Sequence, residues 1–486
     1  MTSTADVLLK YEPVIGLEVH VQLATRTKIY CGCPTSFGAP PNTNVCPVCL
    51  GLPGALPVLN RQAVELAIRA GLALGCRIRP VSRLARKNYF YPDLPKGYQI
   101  SQYDEPLAEH GRVEIAVNGG TKRIGVTRVH MEDDAGKSLH EGFRDSDRYT
   151  YVDLNRCGTP LIEIVSEPDM HSSEEAYAYL TELKQVLQYV DVSTCDMEKG
   201  HLRCDANVSV RSRGVEKLGT KAEVKNLNSS RFLKMALDYE ISRQVAVLEG
   251  GGRITQETRL FDPDSGQTAG MRSKEEAHDY RYFPEPDLVP LVVSDSWRDR
   301  VRAEMPELPA AKRARFQGEL GLRAYDAEVL TQSRELSEYF ERVAGVSGDP
   351  RSAAHWVMGD LAGALKAEGK EIPDSPVSAE RLGELLLLVA RGEISGKLAK
   401  DIFARMFASG EPPAAIIERE GLKQISDQGT LEKVVEEILA ANPKQVEQFR
   451  GGKTAVLGFL VGQVMKATRG QANPASVNGI LRDKLR

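Results

Sequence analysis

Glu198–Arg211 reads EKGHLRCDANVSVR, and from Leu202 it alternates without a break. Leu202, Cys204, Ala206, Val208 and Val210 take one side, and Arg203, Asp205, Asn207, Ser209 and Arg211 the other. Successive side chains of an extended chain point to opposite faces. The stretch therefore predicts a half-buried β-strand with a wholly polar outer row.

Three other stretches repeat the device. In Val14–Leu23, Ile15, Leu17, Val19, Val21 and Leu23 oppose Glu18, His20 and Gln22. In Arg128–Glu132, Val129 and Met131 oppose Arg128, His130 and Glu132; in Lys221–Lys225, Ala222 and Val224 oppose Lys221, Glu223 and Lys225. Taken singly, each is an ordinary solvated strand face. Together they repeat carboxylates and imidazoles: Glu18, His20, His130, Glu132, Asp205 and Glu223. On one sheet these would gather hard oxygen donors with a few cations among them, the composition of a Mg²⁺–phosphate site.

The 486 residues allow about three domains of ~150 residues. A net charge of −4 excludes a global polyanion-binding field, so any nucleic-acid surface must be local. The start, MTSTADVLLKYEP, has no basic and apolar leader pattern, and no apolar run approaches a membrane span. Eight cysteines in so long a chain do not make a disulfide scaffold. The chain reads as cytosolic, with no membrane partner.

Residues 1–293 carry short alternating runs, Gly and Pro, aromatics and turn signals such as Asn118-Gly119-Gly120. One helix interrupts them, opened by a Ser172/Glu175 capping box and continued by Ala176, Leu180, Leu183, Val186, Leu187 and Val190. The fold class expected is α+β, an antiparallel-sheet domain. From 294 to 408 the chain turns helical, with Leu382, Leu385, Leu386 and Val389 in period, and Ser409–Pro413 reads as a linker. The last part, 409–486, is a second helical domain with Leu431, Val434, Val435, Ile438 and Leu439 on one face. Its last stretch, from Lys444 on, turns basic: Lys444, Arg450, Lys453, Lys466, Arg469, Arg482, Lys484 and Arg486 face only Glu447 and Asp483 there, which suits a phosphate backbone as well as a solvated helix.

Cys31-Gly-Cys33 and Cys46-Pro-Val-Cys49 are two close pairs in a Pro/Gly-rich loop, the spacing of a four-sulfur zinc site. With every position filled by sulfur, such a zinc is structural. Arg86–Gln102 packs aromatics, cations and amides into a loop that suits either a nucleotide or RNA end, or plain anchoring to the core. Gly451-Gly-Lys-Thr454 and Gly396-Lys397 are not P-loops, because Glu447 and Arg391 stand where the first glycine is required.

VIGLEVHVQL, CGCPTSFGAPPNTNVCPVCLGLPGALPVLN, RKNYFYPDLPKGYQISQYDEPL, HMEDDAGK, DLNRCGTPLIEIVSEPD, HLRCDANVSVR, EVKNLNS and DYRYFPEPDL closely resemble the B-subunit family of bacterial aspartyl/glutamyl-tRNA(Asn/Gln) amidotransferases. The resemblance is dense from about 11 to 290 and thinner to the end, where TAVLGFLVGQVMKATRGQANPASVNGIL carries it. It implies a catalytic domain similar to the sheet of glutamine synthetase, followed by two helical domains. It also implies a carbon–nitrogen ligase with glutamine as amido donor. ATP and Mg²⁺ phosphorylate the side-chain carboxylate of mischarged Glu-tRNA(Gln) or Asp-tRNA(Asn), and ammonia from the partner amidase (A) subunit displaces the phosphate. A small C subunit completes the heterotrimer.

Carried over by position, the resemblance puts Glu18, His20, Glu132, Asp205 and Glu223 at the catalytic centre. It gives His20, Glu132 and Glu223 to Mg²⁺, and Lys87, Arg203 and Lys225 to ATP and phosphate. Tyr89 and Tyr91 fall to the tRNA end, and Cys31, Cys33, Cys46 and Cys49 to a structural Zn²⁺. Glu18 and Asp205 are left to a second metal, to orienting the ligands of the first, or to the ammonia route. The basic 409–486 domain would reach the tRNA body. Without the resemblance, a stand-alone ATP-dependent amino-acid ligase and a non-catalytic RNA-binding scaffold compete for the same residues.

Overall fold

A computed structural model describes residues 10–117, 119–271, 280–422, 428–468, 472 and 474–485. The first nine residues, Asn118, Arg469 and Arg486 lie outside the described residues. The chain forms two compact units, Met1–Leu308 and Pro309–Arg486.

The first unit is built on nine strands, labelled here in chain order: β1 (Tyr11–Gln22), β2 (Arg77–Ile78), β3 (Ala108–Val117), β4 (Gly120–Asp133), β5 (Pro160–Ser166), β6 (Leu202–Ser212), β7 (Ala222–Lys225), β8 (Glu257–Asp262) and β9 (Gln267–Gly270). They lie in the order β9-β8-β7-β6-β1-β5-β4-β3-β2. All four alternating stretches are strands of this one sheet, and its centre, β6-β1-β5-β4, is antiparallel. The parallel pair β7–β8 is bridged by a helix, as a parallel connection requires.

Among the described residues four helices complete the unit: α1 (Arg61–Ala73), α2 (Ser173–Tyr189), α3 (Ser230–Glu249) and α4 (Asp295–Ala303). The apolar rows of the strands, Ile15, Leu17, Val19 and Val21 among them, form one core with Ile68 of α1, Leu183 and Leu187 of α2, and Leu233 and Leu237 of α3. Each such fully buried side chain contributes about 1.5–3 kcal/mol. Covering one face leaves the polar rows on the other, which is how the core positions the site. The Ser172 hydroxyl caps α2 by accepting the Glu175 N–H at 3.1 Å. The reciprocal half of the box shifts by one residue, since the Glu175 carboxylate accepts the His171 N–H at 2.6 Å. The unit runs on to Leu308 because Trp297 of α4 donates to Glu65 of α1 at 3.0 Å and Arg300 pairs with the same carboxylate.

Arg86–Gln102, read as a loop, is a hairpin: Ala85–Asn88 pairs with Tyr98–Ser101 and, on its other edge, with Phe283–Pro284. Arg86 ties it down, donating to Glu285 at 2.7 and 2.8 Å beneath the Tyr98 ring. The second unit is helical. One core runs from Phe316 to Ile417 and another from Leu431 to Leu485. Ser409–Pro413, expected as a linker, joins two helices of the first of these cores. Gly410 at φ 70° ends Gly396–Ser409, and Pro413 opens Pro413–Glu420, whose Ile416 and Ile417 are buried there. Gly451 ends a helix, Pro443–Arg450, so no strand precedes the Gly-Gly-Lys-Thr stretch. No helix among the described residues is long and apolar enough to cross a membrane.

Candidate functional site

The register of the central strands decides which polar residues meet. His20 on β1 stands opposite Glu163 on β5, and Glu163 opposite His130 on β4; on its other side His20 faces Arg203 of β6. One step along, Glu18 faces Asp205; one step back, Gln22 and Glu132 flank Leu161. Residues separated by more than a hundred positions thus share one row.

Glu163 is the centre of that row and is 4% exposed. His20 Nε2 and His130 Nε2 each lie 3.4 Å from its Oε2. His20 Nε2 is also 3.5 Å from Glu132 Oε1 and 3.9 Å from Glu18 Oε1. Two overlapping donor groups result, Glu18–His20–Glu163 and His130–Glu132–Glu163, each compact enough for a metal ion. Burial opposes a charge on Glu163, but His130 and His20 hold its carboxyl well below the usual range. Burial also opposes an imidazolium at His20, yet Glu163, Glu132 and Glu18 lift its pKa to about 9. Glu18 is raised by burial and by Glu163, against the pull of His20.

The cations sit around this acidic row. Burial disfavours the Lys87 ammonium, but Glu132, Tyr282 and Glu163 raise its pKa above the ordinary value, and it lies 5.0 Å from the Tyr280 ring centre. Arg203 donates to Asp134 at 2.9 Å, and the same carboxylate takes Gln22 at 3.1 Å and Arg156 at 3.4 Å. Lys225 donates to Asp205 at 2.6 Å and is 3.7 Å from Glu223. Glu223 also accepts the Thr258 hydroxyl at 2.9 Å, so it sits with Lys225 and Thr258, outside the two His20 and His130 donor groups. Tyr89 donates to Gln99 at 3.2 Å, its ring edge-on to Tyr91 and Tyr280, and Tyr91 is 43% exposed.

Glu163 is absent from the residues expected of the site. In Pro160–Ser166, PLIEIVS, its neighbours Leu161, Ile162 and Ile164 make the strand read as an apolar run. A lone charge in phase with a buried face was the signal available. Asp134 was equally hidden, in HMEDDAGK, yet it fixes Arg203.

Away from the acidic row, Cys31, Cys33, Cys46 and Cys49 bring their sulfurs together as a third donor group, which could hold a structural metal. The Cys31 thiol, against burial, helps hold the Cys49 pKa down to about 4, while burial pushes Cys33 up to about 11. Asn42 and Asn44 bind this loop to Val152–Asn155, with Asn42 donating to Val152 and Asn44 to Asn155. Cys157 donates to the Cys49 carbonyl at 3.2 Å. Cys76, Cys195 and Cys204 are buried core residues. In the second unit Lys444, Arg450, Lys453, Lys466, Arg482 and Lys484 are exposed.

Two family models match this chain: the GatB/GatE catalytic domain over residues 13–299, and the GatB domain over 338–485. The chain is 57% identical over 478 residues to a Geobacter sulfurreducens protein named as the B subunit of an aspartyl/glutamyl-tRNA(Asn/Gln) amidotransferase, covering 98% of this chain and 100% of that one. Proteins of the same name from Carboxydothermus hydrogenoformans and Persephonella marina are 56% and 54% identical, each over 98% of this chain and 99% and 100% of their own.

Proposed function

The chain belongs to the family of aspartyl/glutamyl-tRNA(Asn/Gln) amidotransferase B subunits, and on that premise we propose that its acidic face activates the side-chain carboxylate of a mischarged tRNA. A carboxylate oxygen of Glu-tRNA(Gln) or Asp-tRNA(Asn) takes the γ-phosphoryl group of ATP as the bond from that phosphorus to the bridging oxygen breaks and ADP leaves. Ammonia, released from glutamine by an amidase partner in an assembly with a small third subunit, then attacks the acyl phosphate. The C–N bond forms as the C–O bond to phosphate breaks, and inorganic phosphate leaves with the electron pair.

The observation that carries this reading is the row His20–Glu163–His130 with Glu132 beside it, near enough to the half-buried Lys87 for Glu132 and Glu163 to raise its pKa. A carboxylate is a poor electrophile, and bringing it to a triphosphate gathers anions that must be offset. Mg²⁺ held by Glu163, His20 and Glu132 would supply that offset. We prefer Glu163 to Glu223 as the third ligand, because Glu163 shares the His20 and Glu132 cluster and Glu223 pairs with Lys225 and Thr258. Lys87 approaches the transferred phosphate from the hairpin. Lys225 contributes charge at the opposite end of the face, near Glu18 and Asp205, and Arg203 does so while braced by Asp134. Tyr89 and Tyr91 hold the terminal adenosine of the tRNA, and the exposed cations of the last helices meet its backbone.

The four cysteines fit a structural Zn²⁺. A Zn–S bond of ~2.3 Å places tetrahedral sulfurs about 3.8 Å apart, and Cys46 and Cys49 are separated by 3.8 Å.

The test is phosphate release from γ-labelled ATP with the chain assembled with its amidase and small subunits. Release should require mischarged tRNA and disappear in Glu132→Ala. Release with free glutamate alone would instead mark a small-molecule ligase, and tight tRNA binding with unaltered turnover in the mutant would leave the chain a scaffold.

A further inference from the structure

Lys28 is fully buried, at 0% exposure, inside the loop that carries the four cysteines. Its backbone N–H donates to the Cys33 carbonyl at 2.9 Å. Its ammonium donates to the carbonyl of Asn44, two residues before Cys46, at 2.6 Å. Gly158, at φ +82°, leaves room between the lysine and the cluster: a Cβ there would lie 3.5 Å from both Lys28 Cδ and Cys49 Cβ. Among the described residues no carboxylate pairs with this ammonium.

A buried ammonium with only a neutral carbonyl is a costly arrangement. Four thiolates around one divalent ion carry a net charge of about −2, which is also costly to bury. Each is the missing counter-charge of the other. We propose that Lys28 is a positioning residue for the metal centre, its ammonium balancing the negative charge of a divalent tetrathiolate at Cys31, Cys33, Cys46 and Cys49. The inference rests on the reading of that cluster as a zinc site.

The experiment loads the full chain with one equivalent of zinc and measures its dissociation constant by competition with a chromogenic chelator. Wild type is compared with Lys28→Met, which keeps the stem, and Lys28→Gln, which keeps a donor for the Asn44 carbonyl but no charge. Both should bind zinc roughly 10–100-fold more weakly. The zinc-free variants should melt no lower than zinc-free wild type, so that the rise in Tm on loading shrinks. Wild-type affinity in Lys28→Gln would overturn the proposal by showing that the hydrogen bond alone matters. Failure of both variants to fold without zinc would also overturn it, giving Lys28 a purely architectural task. Wild type that takes up no zinc at all would sink the zinc reading itself, an outcome distinguished by the wild-type arm alone.

Discussion

The two kinds of donor cluster in this chain are assembled in opposite ways. The four sulfurs come from one loop of nineteen positions, Cys31 to Cys49, and close on themselves. The oxygen and imidazole cluster takes His20, His130, Glu132 and Glu163 from three strands and exists only because β1, β5 and β4 pair in one register. The first fills every ligand position with its own side chains, as a structural site does. The second stays open at one edge, where the His20 and Glu18 side chains are 18% and 29% exposed, while Glu132 and Glu163 are buried. The difference teaches that local spacing suffices for a scaffold, while chemistry on a sheet needs long-range pairing.

The comparison is broken most directly at its open half. Glu163→Gln should keep the fold and lower tRNA-dependent phosphate release by about 100-fold or more, since it removes the charge shared by both histidines. The same change at Glu223 should lower release less. Equal losses, read in one assay, would restore Glu223 as a full member of the cluster.

The closed half should fail by stability instead. Zinc present at about 1,000 times its dissociation constant adds about 4 kcal/mol. Cys46→Ser should therefore lose stoichiometric zinc and a stabilisation of that order, seen in denaturant melts. Its phosphate release, measured below its lowered Tm, should fall less than that of Glu163→Gln. A mutant without zinc and with wild-type stability would make the cluster dispensable.

His20 separates the two halves by pH. Its native pKa of about 9 lies above the ordinary histidine value of 6.5, so the native state holds the extra proton between them. The resulting stability is fully present below about 6.5 and is lost as pH rises through 9, to a total of about 3 kcal/mol. Melts in chelator across that window should show the loss, and His20→Gln should flatten it. Saturating Mg²⁺ should remove the dependence as well, because a ligating imidazole is already neutral.

The smallest effect is expected outside both clusters. Lys484 pairs with Glu436 at 2.5 Å on an exposed surface, so Lys484→Ala should leave the Tm essentially unchanged. It should reduce the salt slope of tRNA binding by about one if the last helices track the phosphate backbone. An unchanged slope would remove Lys484 from that surface.

The alternation in Val14–Leu23, Arg128–Glu132, Leu202–Arg211 and Lys221–Lys225 was sufficient to mark strands, their buried rows and their polar rows, because side-chain direction in an extended chain has period two. The cysteine loop was legible for a similar reason: all four donors lie within a short stretch whose spacing is itself the signal. Register is not local, and nothing within a strand states which residue lies opposite. Pairing alone brought Glu163 between His20 and His130, and pairing alone placed Glu223 against Thr258. The hairpin carrying Lys87 likewise depends on Arg86 finding Glu285, some two hundred positions away. The sequence by itself determined which faces are polar and where sulfur gathers; the tertiary structure decided which carboxylates meet which histidines, because their partners are set by hydrogen-bond ladders between distant strands.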